Sequence, residues 1–359
     1  MNWKGLASAL TAAAMLAGCS GGQDTTASNA TTTTTTGGAT TGPKDIKIAL
    51  IAKSSTNPVF LASRTGAEAA AKDLSKDGTT VTIDWMTPQT ESGEEQAKRI
   101  AQAVNQHDNA ILISCSDAAK VTGAINTAVD QGVIVMTFDS DAPKSKRFAF
   151  YGADDEAVGT QVMDELATLM NGKGNVAILA GNQTAPNLQR RQQAVREEAN
   201  KKYPNIKIVD TFYHVETPDD ASAKVRSAMS ANPQINGWAM VGGWPLFARS
   251  LLDLDPNKVK IVAVDALPAE LDYVDKGVAP VLLAQPVYDW GYKSVGFIVD
   301  KLNGKDVPVI NKMELVKVTK DNLGDWAQQL NKWGFKDVDP KYLAMKSNEP
   351  AAANAGATK

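Results

Sequence analysis

The chain has 359 residues, with 37 basic and 40 acidic side chains, a net charge of −3 at neutral pH and 43% hydrophobic residues. Charge this evenly balanced, with no basic block, excludes the positive surface that nucleic-acid binding requires. The length exceeds what one hydrophobic core usually organises, which predicts two lobes.

Lys4 supplies a positive start, and Leu6 to Ala17 follow as a short apolar run (LASALTAAAMLA). A bilayer span needs about 20 apolar residues, so the run reads as a secretory signal. It ends in Leu16-Ala17-Gly18-Cys19, which resembles the bacterial lipobox. That resemblance implies removal of residues 1–18, a lipid on the Cys19 sulfur, and an extracytoplasmic protein anchored to a bacterial membrane, in the periplasm or at the cell surface. Residues 19–44 are rich in Gly, Ser, Thr, Ala and Asn and are expected to be a flexible linker. Residues 341–359 are expected to be a disordered tail. The second cysteine, Cys115, ends an apolar strand and reads as a buried small side chain rather than a nucleophile.

Between these ends, strands and helices alternate. Ile46 to Ala52 (IKIALIA) is a continuous apolar run, the pattern of a strand buried on both faces. A helix over Pro58–Leu74, a strand over Val81–Met86, a helix over Glu94–Asn105 and a strand over Ala110–Ser114 follow. A helix over Ala118–Gln131 and a strand over Val133–Phe138 complete the first half. The second half repeats the rhythm with helices at Glu156–Met170, Asn187–Tyr203, Asp220–Asn232, Leu246–Leu254 and Tyr288–Leu302. Its strands are expected at Val176–Ala180, Ile206–Phe212, Gly237–Val241, Val259–Val264 and Val281–Ala284. Alternation of this kind predicts an α/β protein of two doubly wound, Rossmann-like lobes with parallel sheets. Ligands of such sheets bind beyond the carboxyl ends of the strands. The residues there are polar: Lys53, Asp139, Asn182, Asp265 and Gln285.

Six segments in this order carry a family resemblance. Asn57-Pro58-Val59-Phe60, TFDSD at 137–141 and YGADD at 151–155 form one set; Arg190 in NLQRRQQAV, VAVDA at 261–265 and AQP at 284–286 form another. Together they resemble the sugar-binding type I periplasmic binding proteins of ABC transporters, over about residues 45–320. The resemblance implies three crossings between lobes, near Ala153, Pro286 and Val309, forming a three-strand hinge. The first lobe would then hold 45–153 and 287–309, and the second 154–286 and 310–340. It also implies a monosaccharide or related polyol as ligand, an ABC permease as partner, and a monomer. A lysine at position 53 beside TFDSD is similar to binding proteins for rhamnose or furanosyl quorum signals, which opens a second possibility, a receptor that reports its ligand to a membrane sensor without transport.

By that resemblance the ligand residues are Lys53, Asn57, Phe60, Asp139, Asp141, Arg190, Gly243, Trp244, Asp265 and Gln285. A carboxylate such as Asp139 accepts from two adjacent sugar hydroxyls, and ionised acceptors make the stronger bonds. Asp265 would do the same or cap a helix near Pro268. Asp141 would reach the ligand or pair with Lys53. The Gln285 amide both donates and accepts. Arg190 would bring its fixed donors from the second lobe, with Arg191 as competitor, since the sequence does not fix the helix face to one residue. Asn57 would cap the first helix, and Phe60 and Trp244 would wall the cleft or pack in the core. Gly243 leaves room for close backbone approach. Enzyme signatures are missing: the sequence has no GxSxG, GxxxxGK[ST] or GxGxxG, and His107 and His214 are isolated. No cofactor and no metal are expected.

Overall fold

The computed structural model describes residues 42–345. The expected signal, the expected lipidation site at Cys19, the expected linker up to position 41 and the expected tail beyond Met345 lie outside them.

The first lobe is built from β1 (Asp45–Ile51), α1 (Pro58–Leu74), β2 (Thr80–Trp85), α2 (Gly93–Asn105), β3 (Ala110–Ile113), α3 (Ala118–Asp130), β4 (Ile134–Phe138) and β5 (Ala149–Gly152). The second takes α4 (Asp155–Leu169), β6 (Lys173–Leu179), α5 (Pro186–Lys202), β7 (Asn205–Phe212), α6 (Pro218–Ala231), β8 (Gly237–Met240), β9 (Lys260–Val264), the short α7 (Leu271–Asp275) and β10 (Val281–Ala284). The chain returns through α8 (Val287–Leu302) and β11 (Ile310–Lys312), then ends in β12 (Val316–Val318), α9 (Leu323–Lys332) and α10 (Pro340–Leu343).

The strand orders are β2-β1-β3-β4-β5-β11 and β7-β6-β8-β9-β10-β12. Every pairing is parallel except that of β12 with β10. The two sheets therefore share one strand order and differ in the direction of the last strand, and the two lobes expected from the alternation are present. Each residue of β3, β5, β8 and β10 is buried, as strands covered by helices on both faces should be.

Local chemistry sets the helix starts. Asn57 accepts from the Val59 amide and Pro58 begins α1; Ser92, Asp117, Asp154 and Thr217 cap α2, α3, α4 and α6 with their side chains. Helices α1 and α8 cross at two glycines. A Cβ on Gly66 would lie 2.0 Å from the Tyr288 carbonyl oxygen, and one on Gly291 would lie 1.9 Å from that of Ser63. Beneath this crossing Phe60 stacks on Trp290 at 6.1 Å and meets Phe138 edge-on at 6.5 Å, forming the aromatic centre of the first lobe.

Four differences from the sequence reading have physical causes. Ile310–Lys312 pairs with Phe150–Gly152, so the first sheet keeps the chain past position 309 and the third crossing falls after Lys312. Leu246–Leu254 is not a regular helix: a single 3-10 turn spans Trp244–Leu246, and turns follow. There the Tyr273 hydroxyl donates to the Ala248 carbonyl and accepts from the Leu251 amide, taking groups that a helix would use. The tail does not begin at 341, because Tyr342 is fully buried and its hydroxyl donates to Asp272 at 2.6 Å. Finally, β5, β11, β12, α9 and α10 join the expected elements.

Candidate functional site

The strand ends of the two sheets face each other, and each lobe presents an aspartate in the same place. Asp139 follows β4 and Asp265 follows β9, with φ of 55° and 80°. Left-handed backbone is uncommon outside glycine and clusters at functional positions. The sheets hold both residues there: the Asp139 amide donates to Tyr151 and the Asp265 amide to Leu283, each on the next strand. Two matched carboxylates thus stand at the facing strand ends of the two sheets.

Around Asp139, Ser114 Oγ donates to Oδ2 at 2.7 Å and Asn187 Nδ2 donates to Oδ1 at 2.9 Å. Asn187 lies on α5 of the second lobe, so the lobes meet at this bond. Lys53 Nζ stands 3.8 Å from Asp139 and 3.9 Å from Glu216 of the second lobe, outside hydrogen-bond reach of either. Burial alone would lower the Lys53 pKa, but the charges of Glu216 and Asp139 outweigh it and hold the ammonium charged. Its donors are therefore available to another acceptor.

Around Asp265, Gln285 Nε2 donates to Oδ1 at 2.8 Å and the Gly243 amide to Oδ2 at 3.2 Å. A Cβ on Gly243 would meet a Glu270 oxygen at 2.4 Å, so this approach requires glycine. Gln285 Oε1 in turn accepts from Arg191 at 2.8 Å, and Arg191 also binds Asp155 at 2.7 Å and the Val241 carbonyl at 3.3 Å. Burial raises Asp155 to about 6 against the pull of Arg191. Burial also raises Asp265, opposed by the bond from Gln285 and by Arg191.

The structure corrects two candidates. Arg190 sits on the outer face of α5, paired with Glu156, its side chain 43% exposed; Arg191, 3% exposed, is the one in the cleft. Asp141 turns away from both the cleft and Lys53. It pairs with Arg147 through two bonds of 2.6 Å and accepts from Thr137, bracing its own loop. Phe60 belongs to the first-lobe core, with its ring 5.8 Å from Lys53 Nζ. Asn57 caps α1. Trp244 is buried; its indole donates to Glu216 at 3.2 Å, and the ring meets His214 edge-on at 4.8 Å.

Several members of the cluster were not singled out from sequence. Glu216, Glu91, Asn187, Asp155 and Ser114 are polar residues in loops or on helix starts, and nothing in their spacing distinguishes them. Gln96 of α2 is another. Its amide donates to the Ala52 and Ser114 carbonyls at 3.0 and 2.7 Å and accepts from the Ser116 amide at 2.9 Å. It pins the ends of β1 and β3, and with them Lys53 and Ser114. Gln96→Leu leaves three buried backbone groups unpaired, each worth about 1–3 kcal/mol. The expected cost is on the order of 3 kcal/mol in urea unfolding; a change below about 0.5 kcal/mol would show that the clamp is dispensable.

Cys115 is buried and unpaired, and burial pushes its thiol pKa up, so it is no nucleophile. Among the described residues no group of three or more His, Cys, Asp or Glu is placed to hold a metal ion.

Comparison with known proteins gives the same architecture. The D-apiose import binding protein of Actinobacillus succinogenes is 26% identical over 191 residues, 53% of this chain and 59% of that protein. The chain thus matches little more than half the length of this relative. A solved ABC transporter solute-binding protein from Burkholderia graminis, in complex with D-arabinose, is 28% identical with a TM-score of 0.73, covering 78% of this chain and 96% of the other. A solved XylFII–LytSN complex contains a chain 28% identical with a TM-score of 0.70, covering 77% of this chain and 99% of the other. The family model described as the periplasmic binding protein domain matches residues 48–306. Together with the twin sheets, this match makes the chain a member of the periplasmic binding protein family.

Proposed function

We propose that the chain captures a neutral monosaccharide or related polyol between its lobes and delivers it to an ABC importer, acting outside the cytoplasm on a lipid anchor at Cys19. The observation that carries this reading is the pair of facing aspartates, each held in left-handed backbone at a strand end. Lys53, Asp139, Arg191, Asp265 and Gln285 would touch the ligand, with Asn187 and Glu216 closing on it from the second lobe. Asn57, Phe60, Gly243 and Trp244 would shape the walls. A sugar offers adjacent hydroxyls that donate to a carboxylate and accept from a cation, and this set supplies both. In the closed arrangement the polar groups satisfy one another, Asn187 on Asp139 and Gln285 on Asp265. A bound hydroxyl would exchange for these bonds at little net cost, while hinge bending admits and encloses the ligand.

Thermal unfolding of the purified chain against pentoses, hexoses, deoxyhexoses and polyols tests the reading. A ligand at 100 times its Kd adds about 2.7 kcal/mol, which raises the midpoint of a chain this size by several degrees. One sugar, or a few close stereoisomers, should do so. A flat panel would remove the sugar reading and leave the fold standing.

A second reading has one observation in its favour. A structural neighbour is an assembly of such a protein, XylFII, with another component, LytSN, so a ligand-loaded chain of this kind could report to a membrane partner instead. Deleting the gene separates the two. Lost uptake of the labelled sugar supports import, whereas intact uptake with a lost transcriptional response to the sugar supports reporting.

A further inference from the structure

The seam between the lobes brings two carboxyl groups onto one asparagine. Glu91 lies in the first lobe, on the loop after β2; Glu216 lies in the second, after β7. Asn182, after β6, touches both, its amide nitrogen donating to Glu216 Oε1 at 2.9 Å and its side chain donating to Glu91 Oε2 at 3.1 Å. The second Glu216 oxygen faces the Trp244 indole at 3.2 Å and the Lys53 ammonium at 3.9 Å. The other Glu91 oxygen, Oε1, is buried and accepts from no donor among the described residues, which leaves it free to carry a proton. Nearby, the Thr184 hydroxyl donates to the Ser116 carbonyl at 3.1 Å, a second bond across the same seam.

We propose that Glu91 and Glu216 share one proton across the seam and form a latch, so that closing the lobes takes up a proton and losing it loosens the closed state. The inference rests on the hinged two-lobe reading above and adds a regulator of the same cleft. Two ionised carboxylates in this position would repel, and Lys53, 3.9 Å from Glu216, offsets them only in part. One shared proton turns the repulsion into a hydrogen bond, and each lobe supplies half of it.

The titration of the site agrees. Burial and the Glu216 charge push Glu91 up to about 8, against the pull of Lys53. Glu216 is held below its ordinary value: burial would raise it, but Lys53 and the bond to Glu91 outweigh that. With the lobes apart, Glu91 would face water and titrate near ~4.3. Its closed-state value is therefore raised, and the stabilisation of closure is full at acid pH. It falls by up to about tenfold per pH unit as pH climbs towards about 8, and is gone above it.

The other groups around the pair act differently. His214 is lowered by burial, which gives an opposite slope confined to pH below its ordinary value near ~6.5. Asp220, which accepts from the Val215 amide, and Lys224 line the 650 Å³ groove that opens beside the pair. Asp139 stands behind Lys53. Among the groups around the pair, Glu91 is thus the one raised into the interval between about pH 6.5 and 8.

Small-angle scattering of the full chain without sugar, from pH 6.5 to 9, tests the latch. The wild type should have a compact radius at pH 6.5 and a larger one at pH 9. Glu91→Gln, permanently uncharged, should stay compact throughout. Glu216→Gln removes the charge that raises Glu91 and should move the step towards acid by a pH unit or more. A wild-type radius indifferent to pH, or a Glu91→Gln chain that expands like the wild type, overturns the proposal. Since no sugar is used, a chain that passes this test and ignores every sugar in the panel refutes the sugar reading alone.

Discussion

Asp139→Asn is expected to lower sugar affinity at least a hundredfold while the chain stays folded. Hydrogen bonds to a charged acceptor are worth about 1.5–3 kcal/mol each. Two bonds from adjacent hydroxyls therefore supply ~3–6 kcal/mol, and each 1.4 kcal/mol is about tenfold in Kd. Asparagine tolerates the left-handed backbone that Asp139 adopts, so the strand end keeps its shape. It also keeps an oxygen for Ser114, which now donates to a neutral acceptor. Alanine at this position would add backbone strain, and its effect on binding would be mixed with one on stability. Titration of the sugar that raises the unfolding midpoint, with that midpoint also measured without sugar, separates the two. Affinity within a few-fold of wild type would remove Asp139 from the site.

Arg191→Met and Arg190→Ala should differ by several kcal/mol in stability despite adjacent positions. Arg191 is buried and bonds to Asp155, Gln285 and the Val241 carbonyl. Removing one partner of a buried ion pair costs about 3–5 kcal/mol, because the other charge is left uncompensated. Gln285 also loses the donor that orients its amide towards Asp265, so sugar affinity should fall as well. Arg190 lies on the exposed face, where solvent screens an ion pair and it contributes little. Arg191→Lys should recover only part of the loss, since a point charge cannot hold three directions at once. Urea unfolding of the four chains reads the difference. Equal effects of Arg190→Ala and Arg191→Met would place the cleft on the wrong face of α5.

How much of this was legible in the sequence depends on the length of each signal. The long apolar runs and amphipathic helices announced themselves; α1 has the limits that its pattern predicts, Pro58–Leu74. The strands β11 and β12 are three residues long, too short for any periodicity to show, and β5 (AFYG) lacks the aliphatic run that marked β3 and β10 at the same length. Helix α9 carried a readable pattern, Leu323, Trp326, Ala327 and Leu330, buried along one face. Asp139, Asp265, Gln285 and Lys53 were visible because the strand-end rule points to single positions after recognisable strands. Arg190 and Arg191 were left as competitors, one residue on a helix being a rotation of about 100°; Leu188 and Val195, three before and four after Arg191 and buried with it, mark its face of α5. Glu91 and Glu216 sit in loops and acquire their meaning only when the lobes meet.

The most direct test of the central claim is diffraction from the chain crystallised with the sugar that raises its unfolding midpoint. The expected result is sugar density between the lobes, with hydroxyls within hydrogen-bond distance of Asp139, Asp265 and Lys53, and Arg191 beside Gln285. Sugar bound elsewhere, or an interlobe site that keeps the Asn187–Asp139 and Gln285–Asp265 bonds with sugar in excess, would contradict it.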